Sequence, residues 1–426
     1  MSMSSFDHKP SAVPLVPFSG EDAVQETLLP LSNMRKIPQN LPLLHCSGPY
    51  MIDSLCSILE KASSLEPEVG CTHPLMYKGT CLACKECMGD WCGLQLDYLE
   101  PGFRVGRKEV GQLRESISRN LLGTRKLHLI LDLDNTLLHT ISCSALIPDE
   151  QHLLAECHVP GKTTGDLFVD PKGIKITKLR PFVLSLLREA STMFDLTLYT
   201  TGTRSYADRM VHLLDPEGCY FGNWVIARSD LTSNYKSLDN VLAKEYCTLI
   251  LDDDSEAWPK HTTNLIPVEP YNYFFNDRST YRKDCPPQNP DGEGERPHLA
   301  IILDVLKAIH QRYFDQYDHG KGGLVDVRTE LLSLRRDVLK GCRIFTGRAD
   351  WVTEMARQLG ATIVWEPSSS VTHVISESST CTYARWALQQ NKFLVHPEWV
   401  FAAYRLWKRP AEHEFLLKAP RKYRGW

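Results

Sequence analysis

The stretch "HLILDLDNTLLHT", His128 to Thr140, places Asp132 and Asp134 one residue apart at the end of an apolar run, with Thr136 two residues further on. Side chains alternate along a strand, so two carboxylates at this spacing point the same way, and the turn that follows carries both to the rim of a sheet. Such a pair can divide labour. An ionised carboxylate bound to a cation attacks an electrophile such as phosphorus, while a protonated one donates to a leaving oxygen. Like charges set close together push their two pKa values apart, which suits those roles. A second apolar run, "TLILDDD", ends in Asp252, Asp253 and Asp254. Two carboxylate-tipped strands at one sheet edge form a hard-cation site, and Mg2+ characteristically takes one or two carboxylates with waters and phosphate oxygens. A single acidic residue at a strand end more often caps a turn; two such clusters in this order favour chemistry.

Positioning these groups requires alternating strands and helices. From Leu127 the pattern predicts a strand "LHLIL", a helix "RPFVLSLLREASTM", a strand "FDLTLYT", a helix over 203–214, and strands "WVIA" and "CTLILDD". The expected fold class is therefore α/β, a parallel sheet with right-handed crossovers that binds ligands at the carboxyl ends of its strands. Between the first strand and Arg180, "SALIPDEQHLLAECHVPGKTTGDLFVDPKG" is too long for a plain loop and predicts a hairpin-bearing insertion. A polar passage rich in Pro and Gly, "NDRSTYRKDCPPQNPDGEGERP", closes this core, with a helix from His298 to Phe314 behind it. A smaller α/β unit follows, with strands at "CRIF", "TIVW", "HVI" and "FLV". The expected organisation is an N-terminal region of uncertain fold over 1–70, with a helix at 52–62, and a Cys-rich element plus helix over 71–122. The main α/β domain spans 123–318, a linker 319–334, and the second domain 335–426.

A chain of 426 residues has room for more than one core, and its 42% hydrophobic and 23% charged residues are ordinary globular usage. With 48 basic against 52 acidic residues and a net charge of -4, no overall cationic field points to nucleic acid. The start "MSMSSFDHKPSAVPLVPFSG" lacks the form of a secretory signal, and no apolar run approaches the roughly 20 residues of a membrane helix. The expectation is a cytosolic or nuclear protein with neither membrane nor direct nucleic-acid partners.

In such a compartment 14 cysteines read as metal ligands or buried thiols rather than disulfides. "CTHPLMYKGTCLACKECMGDWC" sets a CxH pair, Cys71 and His73, ahead of a CxxC pair, Cys81 and Cys84. Two close pairs of N and S donors suit a tetrahedral structural Zn2+. Cys87 and Cys92 leave the ligand choice open, and reduced cysteines without metal are the alternative.

The order of DxDxT after an apolar strand, a strand ending in Thr, a Lys and then DD resembles the haloacid-dehalogenase phosphatase superfamily. "KLRPFVLSLL", "LYTTGTRSYADRMVHLLDPEGCYFG", "ILDDDSEAW" and "NLIPVEPYNYF" resemble more closely the FCP/SCP-type phosphatases that act on the C-terminal domain of RNA polymerase II. The resemblance covers about residues 70 to 275 and 335 to 417. It implies a Rossmannoid parallel sheet with an insertion, followed by a BRCT domain, as in the large family members that associate with transcription factor IIF. It also implies that Asp132 is the nucleophile forming an aspartyl-phosphate, and Asp134 the acid and then the base. Thr200 would bond a phosphoryl oxygen and Lys236 would neutralise charge. Mg2+ would be held by Asp132, the carbonyl of Asp134 and Asp253, with Asp252 beside them or bridging through water, while Asp254 is peripheral. Thr136 orients the first loop. Arg180 stands near the substrate or, alternatively, is a helix-start arginine in a surface ion pair.

"CRIFTGR", "QLGATIVWEP", "VTHVISES" and "LVHPEWVFAAYRLWKRPAEHEF" resemble a BRCT module, with a Gly360-Ala361 turn and a structural Trp399. Phosphopeptide-binding modules of this kind offer a Ser/Thr-Gly pair and a lysine to phosphate. Thr346 and Gly347 match the pair, but Thr382 and Tyr383 stand at the lysine position and Arg385 only nearby. The basic end "KAPRKYRGW" suits a flexible tail or nuclear signal rather than a contact with factor IIF. The resulting expectation is a nuclear, Mg2+-dependent serine/threonine phosphatase of the polymerase tail. The alternatives are the same chemistry on another nuclear phosphoprotein, or a catalytically silent phosphoprotein adaptor.

Overall fold

Apolar residues at each position of Leu127, Leu129, Ile130 and Leu131, all fully buried, require a strand covered on both faces, which a parallel sheet between two layers provides. A computed structural model describes residues 71–88, 93–157, 166–231, 233–275, 296–320, 325–347 and 350–417, with Leu55, Ser57, Ile58 and Glu60 before them. Those four are helical; the rest of the helix expected at 52–62 lies outside the described residues, as do most of 1–70, the passage 276–295 and the basic end.

In chain order, β1 (Leu75–Tyr77), β2 (Thr80–Cys81), β3 (Gly93–Gln95) and β4 (Phe103–Gly106) form an antiparallel sheet, and α1 (Arg107–Gly123) leaves β4 directly. Next come β5 (Leu127–Leu131), β6 (Leu138–Ser142), α2 (His152–Cys157), β7 (Leu167–Val169) and β8 (Lys175–Leu179). Strands β6, β8 and β7 pair antiparallel as the hairpin-bearing insertion. The main unit continues through α3 (Val183–Ala190), β9 (Phe194–Tyr199), α4 (Arg204–Leu214), β10 (Val225–Ile226), β11 (Thr248–Asp252) and β12 (Leu265–Pro267).

The central sheet runs β10-β9-β5-β11-β12 with every pairing parallel. Its register sets Leu131 opposite both Leu198 and Leu251, so the residues that follow on β5, β9 and β11 emerge together at the carboxyl edge. One face packs on α3, α4 and α5 (His298–His319). The other carries β1–β4, α1 and the segment Leu238–Ala243.

Helix α6 (Val327–Asp337) corrects the expected linker over 319–334. Asp326 caps it by accepting from the Arg328 N–H at 2.9 Å, and Val327 and Leu331 are buried in the main core, leaving a short connection from α5. Its apolar residues have a core to enter, so the segment folds rather than spans. Beyond it, β13 (Arg343–Phe345), α7 (Asp350–Gln358), β14 (Thr362–Ile363), β15 (His373–Ile375), α8 (Thr382–Gln389), β16 (Phe393–Val395) and α9 (Glu398–Leu406) build a parallel sheet ordered β14-β13-β15-β16. Gly360 turns at φ 89° where a Cβ would sit 1.8 Å from the Arg336 carbonyl oxygen, so no other residue fits. Trp399 is fully buried, stacks on His373 at 4.6 Å and donates to the Pro410 carbonyl. No helix among the described residues is long and apolar enough to cross a membrane.

Candidate active site

The loop after β5 is shaped before any ligand arrives. The Asp132 N–H donates to the Leu251 carbonyl, extending the parallel ladder, and Asn135 then turns left-handed at φ 61°. Asn adopts that region more readily than most residues, and its carbonyl accepts from the Tyr271 N–H at 2.7 Å. The two aspartates thus leave one strand into different surroundings.

Asp132 is 7% exposed and Asp252 1%, and between them lies Lys236, 5% exposed. Its ammonium is 2.5 Å from Asp132 Oδ1 and 2.6 Å from Asp252 Oδ2. Burial lowers the lysine pKa, but the two carboxylates more than offset it and hold the group protonated. Asp132 is pushed up by burial, opposed by Lys236, with Asp252 and Asp253 pushing further upward. Trp258 donates its indole N–H to Asp252 at 2.7 Å, and the Asp254 N–H donates to the other Asp252 oxygen, so Asp252 chiefly orients Lys236. Asp253 accepts from Thr136 Oγ1 at 2.9 Å and returns its own N–H to that hydroxyl. Burial, then the charge of Asp252, raises Asp253 to about 6. One oxygen from each of Asp132, Asp252 and Asp253 lies within 4.8 Å of the others. Three carboxylates against one ammonium leave the pocket short of positive charge, and its donors are hard oxygens, so the residues fit a Mg2+.

Asp134 is handled differently. The Tyr206 hydroxyl, at the start of α4, donates to Asp134 Oδ1 at 2.5 Å and lies 3.0 Å from Thr140 Oγ1. Burial raises Asp134, opposed first by this hydrogen bond. Gly202 is required beside it, because a Cβ there would meet the Tyr206 ring at 2.7 Å. Thr200, just past β9, is buried with its hydroxyl accepting from the Gly202 N–H at 3.0 Å, and a hydrogen bond from its side chain helps to lower the Asp134 pKa.

Asp132, Asp134, Thr200, Lys236, Asp252 and Asp253 are therefore brought together. Asp254 is exposed and caps the next turn, as a peripheral residue should. Arg180 is not at the mouth of the site. It is 1% exposed, donates to the Thr136 carbonyl at 3.1 Å and lies over the Tyr271 ring, so it props the first loop from behind. Thr136, fully buried, likewise reaches Asp253 rather than open space. The sequence reading missed Tyr206, a lone helix tyrosine with no local signal, and Trp258, whose indole N–H had to find a partner once buried.

At the β1–β2 hairpin, Cys71, His73, Cys81 and Cys84 converge within 4.8 Å, whereas Cys87 is exposed and outside the group; Cys92 lies outside the described residues. In the second domain Thr346 is buried with its hydroxyl 2.6 Å from Thr353 Oγ1, and Gly347 turns at φ 68°. They line a cavity of about 430 Å3 with Glu377 and Tyr383, and no lysine or arginine stands among its described lining residues.

A carboxylate bound to lysine, a second carboxylate two residues on that accepts from a tyrosine hydroxyl, and a parallel sheet presenting both define a haloacid-dehalogenase-type protein phosphatase. The NLI interacting factor-like phosphatase family matches residues 127–283, and the BRCT (BRCA1 C Terminus) domain matches 334–404. The chain is 39% identical over 389 residues to RNA polymerase II C-terminal domain phosphatase-like 4 of Arabidopsis thaliana, covering 85% of this chain and 86% of that protein. Its identity to an RNA polymerase II C-terminal domain phosphatase of Caenorhabditis elegans is 28%, over 84% of this chain and 58% of that one. The solved structure of Fcp1, an essential RNA polymerase II CTD phosphatase, shares the fold with a TM-score of 0.56 at 23% identity, covering 72% of this chain and all of that one. The chain belongs to the RNA polymerase II C-terminal domain phosphatase family.

Two outcomes follow from this geometry. In Tyr206→Phe, Asp134 loses the donor that favours its ionised form, so its pKa rises and the limb on which a general acid gives up its proton, the alkaline limb of the kcat/KM–pH profile, moves to higher pH; an unmoved profile would exclude the contact. In cation-free protein, Asp253 titrates at about 6 when folded and near 3.8 when unfolded, so the folded state binds the extra proton between those values. Its contribution to stability is full below the lower value and is lost as pH rises through the upper one. Thermal denaturation of Asp253→Asn should decline less than wild type over that interval and converge with it in more acidic solution.

Proposed function

We propose that the protein removes phosphate from serine and threonine of the heptad-repeat tail of RNA polymerase II through an aspartyl-phosphate on Asp132. The observation that carries this is the unequal treatment of two aspartates, Asp132 against the Lys236 ammonium and Asp134 against a tyrosine hydroxyl. An Asp132 oxygen forms a bond to phosphorus as the serine oxygen leaves, and Asp134 gives that oxygen its proton. Asp134, now ionised, takes a proton from water, whose oxygen attacks phosphorus and frees Asp132 and inorganic phosphate. Lys236 stays protonated throughout and offsets the negative charge that gathers on the phosphoryl oxygens, to one of which the Thr200 hydroxyl donates. Mg2+, held by the Asp132 and Asp253 carboxylates and the Asp134 carbonyl, would supply further charge compensation between nucleophile and phosphate. Asp252 and Thr136 orient Lys236 and Asp253, and Arg180 supports the loop without touching substrate.

The names of the relatives support the polymerase tail as substrate and, with it, a nuclear site of action. In this reading residues 71–122 carry a structural Zn2+ at Cys71, His73, Cys81 and Cys84, residues 123–318 are catalytic, and the BRCT domain places the substrate by position. Phosphate contact at Thr346 and Gly347 is not part of the proposal, because Glu377 and no described cation borders that cavity. Contact with general transcription factors rests on the resemblance alone and is not part of it either.

Asp132→Asn should fold normally and release no phosphate from a phosphoserine heptad peptide, and Asp134→Asn should lose about 10²- to 10⁴-fold in turnover. Excess EDTA should stop the wild type, with Mg2+ restoring it. Undiminished hydrolysis by Asp132→Asn would refute the mechanism, and equal rates on unrelated phosphopeptides would refute the substrate.

A further inference from the structure

The turn that carries Lys236 is built largely by residues far from it in sequence. The Lys236 N–H donates to the Ala257 carbonyl and the Ser237 N–H to the Tyr199 hydroxyl, which fixes the entry to the turn. The exit is held from the Cys-rich unit. Arg114 on α1 donates its Nε to the Val241 carbonyl at 2.9 Å, and its Nη2 to the carbonyls of Leu238, at 3.3 Å, and Asp239. The Tyr98 hydroxyl takes the remaining one, Asn240, at 3.2 Å. Four successive backbone carbonyls, beginning two residues after the lysine, are thus satisfied by two side chains of the 71–123 unit. Leu238 and Val241 pack in the same core as Leu75, Leu82, Tyr98 and Leu113.

That unit shares its core with the sheet and the Lys236 turn, and the Cys/His group sits at its β1–β2 hairpin, where a cross-link would hold it. Cys71 and Cys81 sulfurs are 3.8 Å apart, the separation of about 3.8 Å that two thiolates at 2.3 Å from a tetrahedral Zn2+ take up. Cys84 Sγ is 3.4 Å from His73 Nδ1, and His73 Nε2 faces Glu86 Oε2 at 3.7 Å, the outward partner that zinc-bound histidines usually have. Thiolates and imidazole select zinc over the hard cation of the carboxylate pocket. From the ligand segment, the Pro74 carbonyl accepts from the Gly106 N–H at 2.9 Å, and α1 starts at the next residue.

Resting on the zinc of the reading above, we infer that the 71–123 unit is a positioning element for Lys236, with Zn2+ closing the hairpin that anchors α1, and Arg114 and Tyr98 as the positioning residues. Misplacing a charge-stabilising group by about 1 Å costs on the order of 10²-fold in rate, so a turn held at four carbonyls bears directly on turnover.

The test uses the full chain and p-nitrophenyl phosphate, which reports the chemistry whatever the protein substrate is. Elemental analysis should find one zinc per chain, lost in Cys84→Ser; a zinc-free wild type overturns the metal assignment irrespective of Arg114. With zinc content and thermal denaturation verified, Arg114→Ala should lower kcat about 10- to 100-fold with little change in KM, and Arg114→Lys should restore part of it. In a Lys236→Met background Arg114→Ala should cost nothing further, because both act through one group. Wild-type kcat in folded Arg114→Ala, or losses that multiply in the double variant, overturns the positioning role. Should Arg114→Ala fail to fold, Tyr98→Phe removes a single hydroxyl and must show the same non-additivity on a smaller scale.

Discussion

The ammonium of Lys236 between Asp132 and Asp252 is the interaction on which the rest of the molecule depends. A lysine at this depth is tolerated only with both partners in place, and removing one partner of such a buried pair costs about 3–5 kcal/mol. Each neighbour serves that arrangement. Parallel pairing of β5 with β11 sets the two carboxylates side by side, Trp258 holds Asp252, and the Thr136 hydroxyl holds Asp253. The charges do not cancel within the protein, which suits the site to a divalent cation and raises Asp253 to about 6.

The different surroundings of Asp132 and Asp134 come from the loop rather than from the residues, which are chemically identical. A left-handed Asn135 and the tie from its carbonyl to Tyr271 swing the chain so that Asp134 meets Tyr206 on α4 instead of Lys236. Gly202 makes the approach of Tyr206 possible. One carboxylate thus stands against an ammonium and the other against a tyrosine hydroxyl, and the fold delivers both surroundings within three residues.

This division explains which parts of the site were legible in the sequence. Asp132, Asp134, Asp252 and Asp253 announce themselves because each ends an apolar strand, and strand order brings strand ends together. The parallel sheets follow from the same runs. Lys236 and Thr200 stand out only through motif order, since neither sits in a pattern with local meaning. Tyr206, Trp258 and Arg180 were invisible or misplaced because what defines them is the partner, and those partners lie 72 residues away for Tyr206 and 44 for Arg180. The linker was misjudged for a related reason: Val327 and Leu331 carry a helix signal only once the core that receives them exists.

Long-range hydrogen bonds to backbone carbonyls are a general blind spot of sequence reading, and they matter most where a loop supplies a catalytic charge. A loop has few contacts of its own, so its carbonyls go to water or to side chains brought by the fold. Around Lys236 they go to Arg114 and Tyr98, across 127 and 142 residues respectively. The second domain is tied on in the same manner: Arg335 on α6 donates to the Leu265 carbonyl of β12 while its guanidinium covers Trp407 and Tyr404. Because α6 adds apolar residues to the main core as well, the BRCT domain does not swing on a free tether.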